Sequence, residues 1–304
     1  MYLHEENRDL FRDLISLVAE MSGIRTDIIE KDYYVVMLLQ ELAKIDYPVV
    51  FKGGTSLSKA YGVIDRFSED IDITFTEHIG ASRRKKLKYN VMKPISEKLG
   101  LEIVNWNSIE SNKNLNHYDF SYDTVVDEAD GSVPPYVKIE TSLMSYSFPT
   151  NECTISNYYY KYLHETQHDL LDKYLLLPFK MKVQSLERTL IDKMFAVCDY
   201  YLLGKSRKNA RHLYDIYKLL NHVEINQDFL NLVKDVRTHR LTLGNNIAPA
   251  ADFSVDMRKT AHEIKNSDFF RKDYNDTTVF MISEKLEYEE VIRSYTDLID
   301  RIWG

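Results

Sequence analysis

The chain has almost no cysteine. Its 304 residues include only Cys153 and Cys198, which excludes a disulfide framework and suits a reducing, cytoplasmic setting. It has no apolar run of 18 or more residues, so no membrane span is expected. It has no excess of positive charge: 39 Lys and Arg face 47 Asp and Glu, a formal charge of −8. Contact with nucleic acid must then come from a local basic patch. The opening MYLHEENRDLFRD lacks an apolar signal core, so export is not expected. No repeat or low-complexity segment interrupts the chain. What is there is ordinary globular composition, 44% hydrophobic and 28% charged. The length accommodates two modest domains or one large one.

Apolar spacing predicts helices over Leu10 to Met21 and over Asp27 to Ile45, the second opened by a capping-box-like pair, Asp27 and Glu30. YPVVF reads as a strand, followed by a glycine turn and a short helix from about Ser56. DIDITF is the next strand. SRRKKLKYNVMKPISEKLG reads as a helix ending near Gly100 and broken before Pro94. LEIVNW, YDFSYDT and PYVKIETSLM read as strands, and ECTISNYYYKYL as a further candidate. Beyond about residue 185 the pattern is helical: SLERTLIDKMFAVCDYYLL, ARHLYDIYKLL and EYEEVIRSYTDLIDRIW. Residues 236–282 carry no clear periodicity. The expectation is an α+β, bilobed protein: a core lobe over 1–180 with a small mixed sheet and flanking helices, and a mostly helical lobe over 181–304 that completes a ligand cleft.

The stretch FKGGTSLSKAYGVIDRFSEDIDITF, residues 51–75, carries the chemistry. Residues i and i+2 of a strand share a face, so Asp70, Asp72 and Thr74 face one way and Ile71, Ile73 and Phe75 the other. Aspartate is a poor strand former, and two on one face need a partner. At roughly 3.3 Å per residue their carboxylates start about 7 Å apart, a spacing that can share one divalent cation or hold two. Hard oxygen donors point to Mg²⁺, with Mn²⁺ as a substitute. The plain alternative is a solvated acidic edge, since Asp65 and Glu69 are nearby. The glycines shift that balance. Gly53 and Gly54 let backbone approach a ligand closely, a helix start offers N–H groups to phosphate, and Thr55 and Ser56 add hydroxyls. Their plain reading is an ordinary turn with a Ser or Thr cap.

This motif resembles the core of the polymerase-β-like nucleotidyltransferase superfamily. The form K-G-G-T-S-L-x-K followed by R-F-S-E-D-I-D is similar in particular to the AbiEii/AbiGii toxin family, which includes the MenT toxins. The resemblance implies nucleotide binding at Lys52, Gly53, Gly54, Thr55 and Ser56 and metal binding at Asp70 and Asp72. It also implies a third carboxylate on a later strand. YVKIETSLM offers Glu140, which alternates with Lys138 on one face; an acid simply paired to Lys138 fits that spacing equally well. In the second half, LERTLIDKMFAV and RHLYDIY match the family's E-K or D-K helix and R-H-x-x-D helix, which makes Lys193 and Asp215 functional positions. Lys193 borders an apolar stripe of Leu186, Leu190 and Met194. Such a lysine can lay its stem on the core and project its ammonium to neutralise a triphosphate. Asp215 would orient that lysine or act as a base; its plain reading is an i,i+4 pair with Arg211.

The activity so implied is transfer of a nucleoside monophosphate from an NTP to a hydroxyl. By resemblance the acceptor is RNA, tRNA in particular, and the protein a toxin with a cognate antitoxin. Transfer to a small molecule or protein, and a catalytically silent binding module, are the alternatives. HETQH, His164 to His168, fits a zinc-protease pattern with Glu165 as base, but no third ligand follows it. Two basic runs, Arg83 to Lys88 and Lys205 with Arg207, Lys208 and Arg211, are candidate RNA contacts or solvated faces.

Overall fold

The computed structural model describes residues 2–66, 68–77, 79–110, 113, 115–126, 133–146 and 148–304. Phe67 of the quoted motif lies outside them. The chain divides into two compact units: residues 1–61 with 68–183, and residues 62–67 with 184–304. The architecture is mixed α and β.

The first unit is built on a seven-stranded mixed sheet. Its strands are β1 (Val49–Lys52), β2 (Ile71–Phe75), β3 (Glu102–Ile103), β4 (Leu115–Ser121), β5 (Tyr136–Tyr146), β6 (Thr150–Ile155) and β7 (Phe179–Gln184), in the order β3-β4-β5-β2-β1-β7-β6. β2 is near the centre, antiparallel to β1 and parallel to β5. The alternation in DIDITF explains this. Ile71, Ile73 and Phe75 are buried in the core, and burial of side chains of this size stabilises by about 1.5–3 kcal/mol each. β7 was not anticipated: FKMKVQ has a lysine at every second position, which hides its buried face of Met181 and Val183. It joins the sheet parallel to β1 through Phe51 and Val183.

The helices Arg8–Ser22 and Thr26–Lys44 carry the expected apolar stripes. The Asp27/Glu30 capping box does not form. Asp27 is paired with Arg25, and Glu30 is buried and accepts hydrogen bonds from Thr124 Oγ1 (2.5 Å) and Val125 N (2.7 Å). Some of the abundant tyrosine packs this unit's core. Tyr33, Tyr34 and Tyr159 meet Phe11 there, and Tyr34 stacks on Tyr122 at 4.0 Å. The break before Pro94 is one stretch of π-helix, Leu87–Met92.

The second unit is helical, with its principal helices at Leu186–Leu202, Arg211–Leu219, Gln227–Arg240, Met257–Asn266 and Tyr288–Trp303. Three of these are the helices expected from periodicity. The other two, one straddling residue 236 and one inside 236–282, are not among those expected, although Phe229, Val233 and Val236 and then Met257, Ala261 and Ile264 bury one face of each. Ser185 caps the first by accepting from Arg188 N. Among the described residues no helix is long and apolar enough to cross a membrane.

Candidate active site

In the first unit the helix after β1 begins at the glycines, running Gly53–Lys59 rather than from Ser56. Gly53 has φ +78°, a left-handed conformation that suits glycine. A Cβ there would lie 1.9 Å from Asp72 Oδ2. The turn and the acidic strand are therefore in direct contact, and only a residue without a side chain lets them approach.

The sheet register sets four polar residues in a row. Lys52 on β1 is opposite Asp72 on β2, Asp72 is opposite Glu140 on β5, and Glu140 is opposite His117 on β4. Directly paired residues share a face, so Glu140 stands beside Asp72. Its carboxyl is held above the ordinary carboxylate range, first by burial and then by the charges of Asp72 and Asp70. Lys138 feels the same field: Asp70 and Glu140 hold its ammonium above the usual lysine range despite partial burial.

The hydroxyls behave differently from expectation. Thr55 and Ser56 are fully buried. Thr55 Oγ1 donates to the Asp70 carbonyl at 2.5 Å and lies 2.9 Å from Ser68 Oγ; Ser56 Oγ donates to the Gly53 carbonyl at 2.8 Å. Both side chains tie the turn to the start of β2 and to itself, and what they leave for a ligand is the backbone of the turn. Two lysines, Lys31 buried and Lys59 partly buried, brace the same region. Lys59 forms an ion pair with Asp32 and sits 4.0 Å over the Tyr158 ring. Lys31 pairs with Glu69 at 2.9 Å and donates to the Pro134 carbonyl at 2.9 Å. The glycine helix and the entry to β2 are thereby pinned to the helix Thr26–Lys44.

Among the described residues no group of three or more His, Cys, Asp or Glu is arranged to hold a metal ion. The donor set nonetheless fits Mg²⁺, which commonly takes one or two carboxylates and completes its shell with water and substrate oxygens. Glu140 is raised first by burial and then by the charges of Asp72 and Asp70, and a bound cation would relieve that second contribution.

In the second unit Lys193 lies on the helix Leu186–Leu202 and Asp215 on Arg211–Leu219. Lys193 Nζ donates to Asp215 Oδ2 at 2.6 Å. The alternative partner Arg211 is not the one used. Arg66 is: its Nε and Nη2 grip Asp215 Oδ1 and Oδ2 at 2.7 and 2.8 Å. All three residues are buried. Two cations hold the Asp215 carboxyl far below the usual range in spite of its burial. Lys193 is pushed down, first by burial and further by the positive charge of Arg66, against the attraction of Asp215. The neighbouring His212 imidazole is held well below its ordinary value by burial and by Lys193 and Arg211; its ring stacks on Tyr200 at 5.6 Å.

Arg66 and His117 were missed as site residues. Arg66 stands in the quoted R-F-S-E-D and so had a signal, but no sequence spacing links it to a residue 149 positions away. His117 had none; a histidine in an alternating strand shows its row only when the strands are paired. HETQH is not a helix face. One helix ends at Leu163, another starts at His168, and His164 to His168 are exposed. The i,i+4 geometry that a zinc site needs is absent there.

Comparison with known proteins came to the following. The family model "Nucleotidyl transferase AbiEii toxin, Type IV TA system" matches residues 38–296. No curated protein matches the chain. Among solved structures it resembles MenT4, a nucleotidyltransferase toxin from Mycobacterium tuberculosis H37Rv, with 15% identity and a TM-score of 0.59 over 95% of this chain and 89% of that one. At that identity the likeness is one of fold.

Proposed function

Because the chain belongs to the AbiEii family of nucleotidyltransferase toxins of type IV toxin–antitoxin systems, we propose that it moves a nucleoside monophosphate from an NTP to an acceptor hydroxyl, releasing pyrophosphate. The observation that carries this reading is the contact of Gly53 with Asp72. A backbone turn suited to phosphate and a carboxylate suited to the metal of that phosphate meet at one point, and a metal–NTP complex needs both together.

In this reading Asp70 and Asp72 hold Mg²⁺, or Mn²⁺ in its place, with the Glu140 charge alongside. When bound, the ion supplies neutralisation of charge on the transferring phosphoryl group. Lys52 and the backbone of Gly53 and Gly54 bind the NTP phosphates; Thr55 and Ser56 keep that backbone in shape through their internal bonds. Lys193 adds positive charge for the phosphates. Asp215 is a positioning residue. With both oxygens engaged by cations and its proton affinity low, it is a poor general base and a good anchor for Lys193. The acceptor is RNA, with tRNA as first candidate, and the protein is the cytoplasmic toxin of a pair whose antitoxin is a second protein.

The test is transfer of label from each of four α-labelled NTPs, with Mg²⁺ or Mn²⁺, to total cellular RNA or to protein extract. Label in RNA with one NTP, lowered more than about 100-fold by Asp72→Asn, is expected. Label only in protein or small molecules moves the acceptor to those classes. No label with any NTP, metal or acceptor leaves a silent binding module.

A further inference from the structure

The two basic runs have different fates. In Arg83 to Lys88, Arg83 pairs with Glu77 at 2.8 Å, Arg84 donates to the Lys113 carbonyl at 3.2 Å, and Lys88 is buried on the carbonyls of Trp106 and Ile109. Those three cations are engaged within the fold, and only Lys85 and Lys86 of this run stay exposed. Lys205, Arg207, Lys208 and Arg211 are exposed, and among the described residues none of them closes an ion pair. Four uncompensated cations within seven residues stand out on a chain of charge −8.

The segment is also held in shape. Lys208 has φ +63°, a strained conformation for a residue with a side chain. It is kept there by one acid: buried Asp273 accepts from the backbone N–H groups of Lys208, Asn209 and Ala210 at 2.7, 3.0 and 2.9 Å. The acid binds the backbone and leaves the side chains turned to solvent. The segment leads directly into the helix of Asp215, and the charge of Arg211 is felt at both Lys193 and His212. Arg211 and Asp215 share the helix Arg211–Leu219, so this basic edge adjoins the buried cation cluster within the second unit.

We propose that Lys205, Arg207, Lys208 and Arg211 form the docking edge for the phosphate backbone of the RNA acceptor, with Asp273 as its positioning residue. The inference rests on the nucleotidyltransferase reading for the identity of the polyanion. A folded acidic protein is disfavoured, because three exposed cations on a loop and one at the start of the next helix, with no apolar anchor among them, suit a backbone read by charge rather than a shaped interface.

The experiment is equilibrium binding of fluorescein-labelled total tRNA to the full chain, without NTP, from 50 to 300 mM salt. Lys205→Gln/Arg207→Gln/Lys208→Gln/Arg211→Gln should lower the slope of log K against log salt by about 3, at roughly 0.7–0.9 per lost contact. Lys85→Gln/Lys86→Gln should leave it in place. Asp273→Asn should weaken binding although it makes the chain less negative; tightening would show that charge alone acts and would remove Asp273 from the proposal. An unchanged slope in the quadruple variant overturns the docking edge, as does tighter binding of poly-glutamate than of tRNA at equal salt. Label transfer by the wild type separates the two ideas: transfer with an unchanged slope sinks the edge alone, and a lowered slope with no transfer sinks the catalytic reading alone.

Discussion

In the strand unit, Asp72 and Glu140 are neighbours across the sheet with Asp70 just before the strand, and Glu140 is pushed toward its protonated form first by burial and then by those two charges. In the helical unit, a single carboxylate is shared between Arg66 and Lys193 and is pushed the other way. Both clusters carry a cost in desolvation. The helical cluster is closed by two cations on one carboxylate, whereas the strand unit keeps Asp72 and Glu140 side by side, with Lys52 and Lys138 in the same neighbourhood. Like charges side by side on β2 and β5 suit the proposed metal site better than a structural ion pair.

The comparison can be broken by removing the anchor of the paired cluster. Asp215→Asn leaves two buried cations facing a neutral group. It should cost about 3–5 kcal/mol in urea unfolding, with part recovered in Asp215→Asn/Lys193→Met; a loss under about 1 kcal/mol would mean the cluster is well solvated. Gly53→Ala is the next largest. The strained φ and the clash with Asp72 should cost about 1–3 kcal/mol and abolish transfer. Adding Asp72→Ala should restore part of the stability, since the strained φ remains, but no activity. If Gly53→Ala keeps full transfer, the turn and acid do not act together.

Glu140→Gln sharpens the other side. The folded carboxyl titrates above its unfolded value, so the acid adds stability at low pH and that contribution is lost as pH rises through the folded value. The glutamine variant should therefore melt above the wild type at neutral pH without metal. Its advantage should fade toward pH 4, about where a free glutamate takes up its proton. The stabilising shift with Mg²⁺ should be smaller in the variant; equal shifts would place the ion away from Glu140. Smallest of all, His164→Ala/His168→Ala should change stability by less than about 0.5 kcal/mol and transfer not at all, whereas loss of bound zinc on elemental analysis would revive the hydrolase reading.

Much of the fold was legible where one face is clearly apolar. The helix Arg8–Ser22 and the strand Ile71–Phe75 follow from their periods alone, because burial on one side dictates the pattern. β7 was hidden by its alternating lysines. Glu140 could be read as a third acid or as a partner of Lys138, and only the register shows that it stands opposite Asp72. Thr55 and Ser56 show the opposite limit: their residue types suggested ligand donors, but their depth turned the hydroxyls inward.

What the sequence by itself determined was the local chemistry: a glycine turn, an acidic strand and two helices bearing a lysine and an aspartate. These depend on neighbours a few residues apart, and near neighbours can be read in a line. Only the tertiary structure decided which charges face each other. It put Asp72 between Lys52 and Glu140, and it gave Asp215 to Arg66 rather than Arg211. Coulomb energy depends on distance through space, and chain order does not record the folding that sets it.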